Sequence, residues 1–264
     1  MRLLEPRIKA DIKATDDIVD WLSPLVFSKT QHDQIAQRQE GTGKWFLESP
    51  KFQSWQLGSD KTLFCPGIPG AGKTIMAATV IDHLLRAARH DIGITYLFCE
   101  YKAQSDQSTA NLFAALLKLL VQTRLGIPTS VRQIYEDHMK QRTRPSLDEI
   151  LQALQSVCLN YTTVYVIVDA LDECSNHNLA RDQLITGLRE LQAKVDLRLL
   201  FTSRPILEIT QQFQLDPVLE VRATEGDVRR YVLAQMPRLP KCIHRDEDLK
   251  SILQTKISDA VDGM

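Results

Sequence analysis

Gly67-Ile68-Pro69-Gly70-Ala71-Gly72-Lys73-Thr74 satisfies the pattern G-x-x-x-x-G-K-[ST] at every fixed position. The flanks suit it. An apolar run, Thr62–Pro66, leads in as a strand, and a helical pattern from Thr74 to about His90 leads out, with Val80, Ile81, Leu84 and Leu85 expected inward. Glycines let a backbone curl so that consecutive N–H groups converge on phosphate oxygens, and a helix N-terminus adds partial positive charge. In such a loop Lys73 reaches the β- and γ-phosphates, the Thr74 hydroxyl is a ligand for Mg²⁺, and the cradle runs from Gly67 to Ile75. A glycine-rich turn without a ligand is the bland alternative; the strand before and the helix after speak against it.

Around this stretch lie four more β-like runs: Gly93–Cys99, Thr163–Asp169, Leu197–Thr202 and Pro217–Val221. The first three are nearly continuous apolar runs, as strands buried on both faces should be. Helical patterns separate them: Thr109–Thr123, Ser130–Lys140, Ser146–Leu159 (opened by the capping box Ser146-Leu147-Asp148-Glu149) and Asn178–Ala193. Alternating strands and helices imply right-handed crossovers and an α/β fold on a parallel sheet of five strands. Residues 1–57 read as a helical arm, 58–223 as the nucleotide-binding core and 224–264 as the start of a helical lid. In the arm, Ser49-Pro50 is a helix start, and Trp45, Phe46, Phe52 and Trp55 are expected to pack on the core rather than stack on bases. In the lid, Val228, Tyr231 and Val232 share one face of a helix over Thr224–Met236. A break follows at Pro237-Arg238-Leu239-Pro240, then a second helix from about Asp246 carrying Leu249, Ile252, Leu253, Ile257 and Val261. The lid is expected to be a truncated one.

A second chemical signal is Thr163-Val-Tyr-Val-Ile-Val-Asp169-Ala170-Leu171-Asp172-Glu173, an apolar strand ending in acid. Asp169 takes the role of the carboxylate that meets the Mg²⁺ held by the loop hydroxyl. A carboxylate just past it can polarise an attacking water; Glu173 is the first choice and Asp172 the alternative. The third signal, Thr202-Ser203-Arg204-Pro205, places a fixed cation at the tip of the next strand, where a guanidinium can contact the γ-phosphate; a plain surface arginine is the competing reading.

Together these three motifs resemble the NACHT domain of the STAND-class P-loop NTPases, in the nephrocystin-like form found in fungal proteins. The stretches from Trp21 to Trp45 and Phe98-Cys99-Glu100-Tyr101 resemble the same proteins. The resemblance implies the additional-strand sheet order 5-1-4-3-2 and an ADP/ATP-dependent signalling switch with slow hydrolysis. It also implies self-association through this domain, within a longer protein carrying C-terminal repeats, such as ankyrin repeats, or a winged-helix domain. By the same resemblance Glu40-Gly41-Thr42 lines the purine pocket, with Thr42 the contact; a helix-start turn at Gly41-Thr42-Gly43 is the alternative. Ala170 stands where relatives often carry glycine.

Bulk composition narrows the rest. The chain has 264 residues, 44% hydrophobic and 25% charged, with a net charge of −1. No basic block favours nucleic acid, and no segment has the length or apolarity to enter a membrane. Five cysteines (Cys65, Cys99, Cys158, Cys174, Cys242) without a C-x-x-C pair read as reduced, mostly buried side chains of a cytoplasmic protein. A remodelling ATPase of the AAA type is the alternative function, with Arg142 and Arg144 as loose candidates for a finger reaching a neighbouring subunit. A scaffold with a vestigial site is the third. The absence of an N-K-x-D guanine-reading motif makes GTP the lesser ligand.

Overall fold

The computed structural model describes residues 15–124, 126–175 and 179–236, together with Leu249, Ile252 and Lys256. The chain enters through a helix over 15–22 (α1), then α2 (Phe27–Gln37), α3 (Lys44–Leu47) and α4 (Pro50–Leu57). The core alternates β1 (Thr62–Pro66), α5 (Lys73–Ala87), β2 (Ile92–Phe98), α6 (Thr109–Gln122), α7 (Thr129–Gln141), α8 (Leu147–Cys158), β3 (Thr163–Asp169), α9 (Ala180–Gln192) and β4 (Leu197–Ser203). A short α10 (Leu207–Thr210) and then α11 (Glu225–Gln235) follow. The second lid helix expected from Asp246 lies outside the described residues, Leu249, Ile252 and Lys256 apart.

Caps set several of these boundaries. The Ser49 side chain accepts from the Phe52 amide with Pro50 in the first turn, and Gly58 closes α4 in the left-handed conformation at φ 92°. At α8 the capping box forms as read: Ser146 accepts from the Glu149 amide while the Glu149 carboxylate accepts from the Ser146 amide.

The sheet is wholly parallel, in the order β1-β4-β3-β2. It has four strands, which corrects the expectation of five. The segment 217–221 does run beside β1, on the side away from β4, but it forms only an isolated bridge, Phe64 to Val218. The Phe64 amide donates to the Pro217 carbonyl, and the Leu219 and Val221 amides donate to the Phe64 and Pro66 carbonyls. In this register the next ladder bond would come from the amide of residue 66. Pro66 has none, so the ladder loses the bond that would fall between those of Leu219 and Val221, and a single bridge remains.

All seven residues of β4 are buried, as suits an inner strand covered on both faces. The aromatic residues of the arm join the same core: Phe46, Phe52 and Trp55 are fully buried, and Trp55 Nε1 donates to the Leu199 carbonyl of β4 at 2.8 Å. In α5 the inward positions are Met76, Ala77, Val80, Ile81 and Leu84, whereas Leu85 is 44% exposed. One residue advances a helix by about 100°, which carries Leu85 past the edge of the buried stripe.

Candidate functional site: a phosphate loop beside an acidic strand end

The loop from Gly67 to Gly72 leaves the tip of β1 and ends in α5. Gly67 carries two constraints. Its amide donates to the Ser203 carbonyl at 3.0 Å, and a Cβ there would sit 2.5 Å from the Val221 carbonyl oxygen. The first position of the motif therefore also serves the packing of the edge segment on β1. Gly70 and Gly72 adopt φ of 82° and 88°, a region that L side chains enter at a cost of about 1–2 kcal/mol. A Cβ at either would meet nothing within 4 Å among the described residues, so that side of the loop is open. The Lys73 ammonium folds back over the loop and donates to the Gly67 and Ile68 carbonyls at 2.7 and 3.0 Å. Burial lowers its pKa, opposed by Asp172 and Asp169, helped by Arg204 and opposed again by Glu173. One lysine thus feels three carboxylates and a guanidinium from the tips of β3 and β4.

Asp169 ends β3 and is buried. Its Oδ1 accepts from the Thr202 hydroxyl at 2.5 Å, and the Thr74 hydroxyl lies close enough to favour its charged form. Burial pushes its pKa up despite the hydroxyls of Thr202 and Thr74 and the charge of Lys73. The loop hydroxyl and the strand-end carboxylate therefore stand together. Among the described residues no group of three or more His, Cys, Asp or Glu side chains is placed to hold a metal ion. One hydroxyl beside one carboxylate suits Mg²⁺, a cation that takes one or two protein ligands and fills its octahedron with water and phosphate oxygens.

Beyond Asp169 the chain turns through Ala170 at φ 59° into a short 3₁₀ turn, Leu171–Glu173. Asp172 is gripped by Arg204, whose amide donates to its Oδ1 at 3.0 Å and whose Nε forms an ion pair with its Oδ2 at 3.0 Å. Glu173 accepts from the Tyr101 amide at 3.2 Å, with Arg204 at 3.9 Å. The Arg204 side chain remains 50% exposed.

On the other side of the loop lies a largely apolar cavity of about 620 Å³. Its floor is the loop from Ile68 to Gly72 with Met76, its wall is the arm around Thr42 and Trp45, and its roof is α11. Val228, Tyr231 and Val232 all line it, so the expected apolar face of the lid is the face that covers the cavity. Thr42 lines it too, its hydroxyl donating to the Gln39 carbonyl at 2.7 Å, while Glu40 and Gly41 are not among the lining residues. Gly43 starts α3 at φ 75°, so the helix-start turn and the cavity wall are the same piece of chain. Ile75 closes the loop end of the lining.

Sequence reading left three functional positions unassigned. Thr202 was quoted in a motif without a role; it orients Asp169 and accepts from the Ala170 amide at 2.9 Å. Trp45 packs against the core as expected and also lines the cavity, with a buried Nε1 that has no hydrogen-bond partner among the described residues. Asp227 on α11 accepts from the Gly43 amide at 3.0 Å across the cavity mouth, a pairing that no local pattern announces. Arg144 donates to the Trp21 carbonyl and stacks over its ring. Arg142 closes α7 in the left-handed conformation.

Fold and site together define a P-loop NTPase-type domain. A solved structure of the Walker-type ATPase PABY2304 of Pyrococcus abyssi has the same fold at a TM-score of 0.50, with 10% identity over 87% of this chain and 66% of that one. The ORC1 protein of Aeropyrum pernix, solved in complex with DNA, aligns at a TM-score of 0.48, with 12% identity over 94% of this chain and 64% of that one. Residues 41–204 match the family described as Nephrocystin 3, N-terminal, and the chain belongs to that family. The match spans all three motifs and ends on Arg204. A curated relative, the vegetative incompatibility protein HET-E-1 of Podospora anserina, is 30% identical over 137 residues, which is 49% of this chain and 10% of that protein. The NACHT-type resemblance read from the motifs holds. The chain spans a tenth of the curated relative and about two thirds of the structures.

Proposed function

We propose that this domain binds a purine nucleotide, ATP or ADP, with its polyphosphate on the loop Gly67–Thr74 and its base and ribose in the cavity beyond. The observation that carries this is the convergence on Lys73. An open glycine loop, the Thr74–Asp169 pair and the Asp172–Arg204 pair meet at neighbouring strand tips, next to a cavity of 620 Å³. Thr74 and Asp169 would hold Mg²⁺, which when bound neutralises phosphate charge. Lys73 would leave the Gly67 and Ile68 carbonyls for the phosphates. Glu173 would orient water for slow hydrolysis, and Arg204 would sense the γ-phosphate. Slow turnover, with a lid tied to the arm, makes the domain a nucleotide-dependent switch within a longer sensor protein. The tethering of Arg144 to Trp21 gives no support to a motor that needs a free arginine finger.

The test is titration of the chain with Mg-ATP and Mg-ADP, alongside mass spectrometry of any co-purifying nucleotide. Lys73→Ala is expected to weaken binding by at least about 100-fold, about 2.7 kcal/mol. Unchanged affinity in that variant overturns the reading, and so does the absence of any nucleotide binding by the unaltered chain.

A further inference from the structure

The cavity beside the phosphate loop carries an unbalanced charge. Among the described residues its lining holds two arginines, Arg38 and Arg222, and one carboxylate, Asp227. Asp227 is engaged by the Gly43 amide at 3.0 Å and by Arg230 at 3.3 Å. Arg38 closes its own turn, with Nε and Nη2 donating to the Thr42 carbonyl at 3.2 and 2.7 Å. Arg222 is exposed and has no hydrogen-bond or ion-pair partner among the described residues. An unpaired surface arginine is ordinary; the placement of this one is not.

The backbone that carries Arg222 is pinned on both sides. Upstream, Val221 is buried and its amide donates to the Pro66 carbonyl at 2.7 Å. The Val221 carbonyl oxygen lies so near the loop that a Cβ on Gly67 would meet it at 2.5 Å. Downstream, the Thr224 hydroxyl caps α11 by accepting from the Asp227 amide at 3.2 Å. Only Ala223 separates Arg222 from that cap. Arg222 therefore stands at the tip of the edge segment, where the chain passes the first glycine of the loop. The sheet order sets it against Arg204. Arg204 follows β4 on one side of β1, and the edge segment lies on the other. The two arginines bracket the loop, Arg204 with the acidic turn and Arg222 with the cavity.

We propose that Arg222 is a phosphate-binding residue, which contacts the α-phosphate of a nucleoside di- or triphosphate where the polyphosphate passes from the loop into the cavity. The inference rests on the function proposed above and adds to it a contact that ADP and ATP share. Lys73 and the acidic turn stand at the end of the loop that takes the β- and γ-phosphates. The cavity takes the base and ribose, so the phosphate nearest to it is the α one. A guanidinium there offers a planar fork of donors to two phosphate oxygens. Arg222 also lies in the short link between the edge segment and the lid helix, so a nucleotide held by it would tie lid to core whether or not a γ-phosphate is present.

Calorimetric titration with Mg-ATP and with Mg-ADP tests this on the full chain and on Arg222→Ala, Arg222→Lys and Arg222→Glu. Arg222→Ala is expected to weaken both nucleotides about tenfold, about 1.4 kcal/mol, and to leave the ratio of their affinities within about twofold of the parent's. Arg222→Lys is expected to recover part of the loss and Arg222→Glu to exceed it, because the charge facing the phosphate is what changes. Arg204→Ala is expected to alter the ratio instead. The exposed position of Arg222 predicts an unchanged melting midpoint in all three variants without nucleotide. Parent-like affinity in Arg222→Ala, a loss confined to ATP, equal losses in the Lys and Glu variants, or a loss that tracks a lowered midpoint overturns the proposal. Each of those results is read on a parent chain that binds nucleotide, so the function proposed above survives them. A parent chain that binds neither nucleotide overturns both.

Discussion

Asp172 and Glu173 are neighbours in sequence with different surroundings. The Asp172 side chain is 5% exposed and committed to two bonds from Arg204, whereas that of Glu173 is 35% exposed and held by one backbone amide. Both carboxylate oxygens of Asp172 are occupied by Arg204, which leaves less room for a water than the single amide on Glu173 does. That contrast supports the proposal of Glu173 as the water-activating group. Glu173→Gln is expected to leave nucleotide affinity within about twofold while lowering kcat about 100-fold; a single-turnover assay matching the parent would transfer the role to Asp172. Ala170 presents a separate cost. Its left-handed backbone costs about 1–2 kcal/mol in an L residue, and glycine loses about 0.5–1 kcal/mol to chain entropy. The strain is the larger of the two, so Ala170→Gly is expected to stabilise the fold by about 0.5–1 kcal/mol. A lower midpoint in urea would contradict this.

At the scale of elements, one missing hydrogen sets the number of strands. The segment 217–221 has the position of a fifth strand and three of its hydrogen bonds to β1, and Pro66 withholds the one between those of Leu219 and Val221. Pro66→Val restores the donor, opposite the Leu219 carbonyl in this register. The restored bond is worth about 1 kcal/mol, and the freer unfolded chain offsets about 0.4–1 kcal/mol of it. Stability is expected to change little while the new amide at residue 66 becomes protected from hydrogen exchange. Rapid exchange at that amide would mean that proline is not what interrupts the ladder.

The molecule as a whole closes its cavity with chain from both ends of the described region. Arm and lid are joined by the bond from the Gly43 amide to Asp227, beside an Arg230 side chain that packs within 3.7 Å of a Cβ built on Gly41. We expect this joint to slow the exit of a ligand beneath the roof. Asp227→Ala removes a charge-assisted hydrogen bond worth about 1.5 kcal/mol, so nucleotide dissociation is expected to accelerate about tenfold with little change in the association rate. Equal release rates in stopped-flow displacement would show that the lid does not gate the site. No helix among the described residues is long and apolar enough to cross a membrane.

Much of the site was legible because its logic is local. A glycine loop after an apolar strand, an acid at a strand end and Ser146 three residues before Glu149 each act within a few residues, so their spacing records their geometry. The parallel sheet followed from uninterrupted apolar runs. Tertiary structure alone decided which acid is the more exposed, because Arg204 reaches Asp172 from another strand. It also decided that the lid meets the arm, through residues 184 positions apart. Those outcomes rest on side chains that converge only after the strands have paired, and periodicity along a chain carries no information about partners it meets in space.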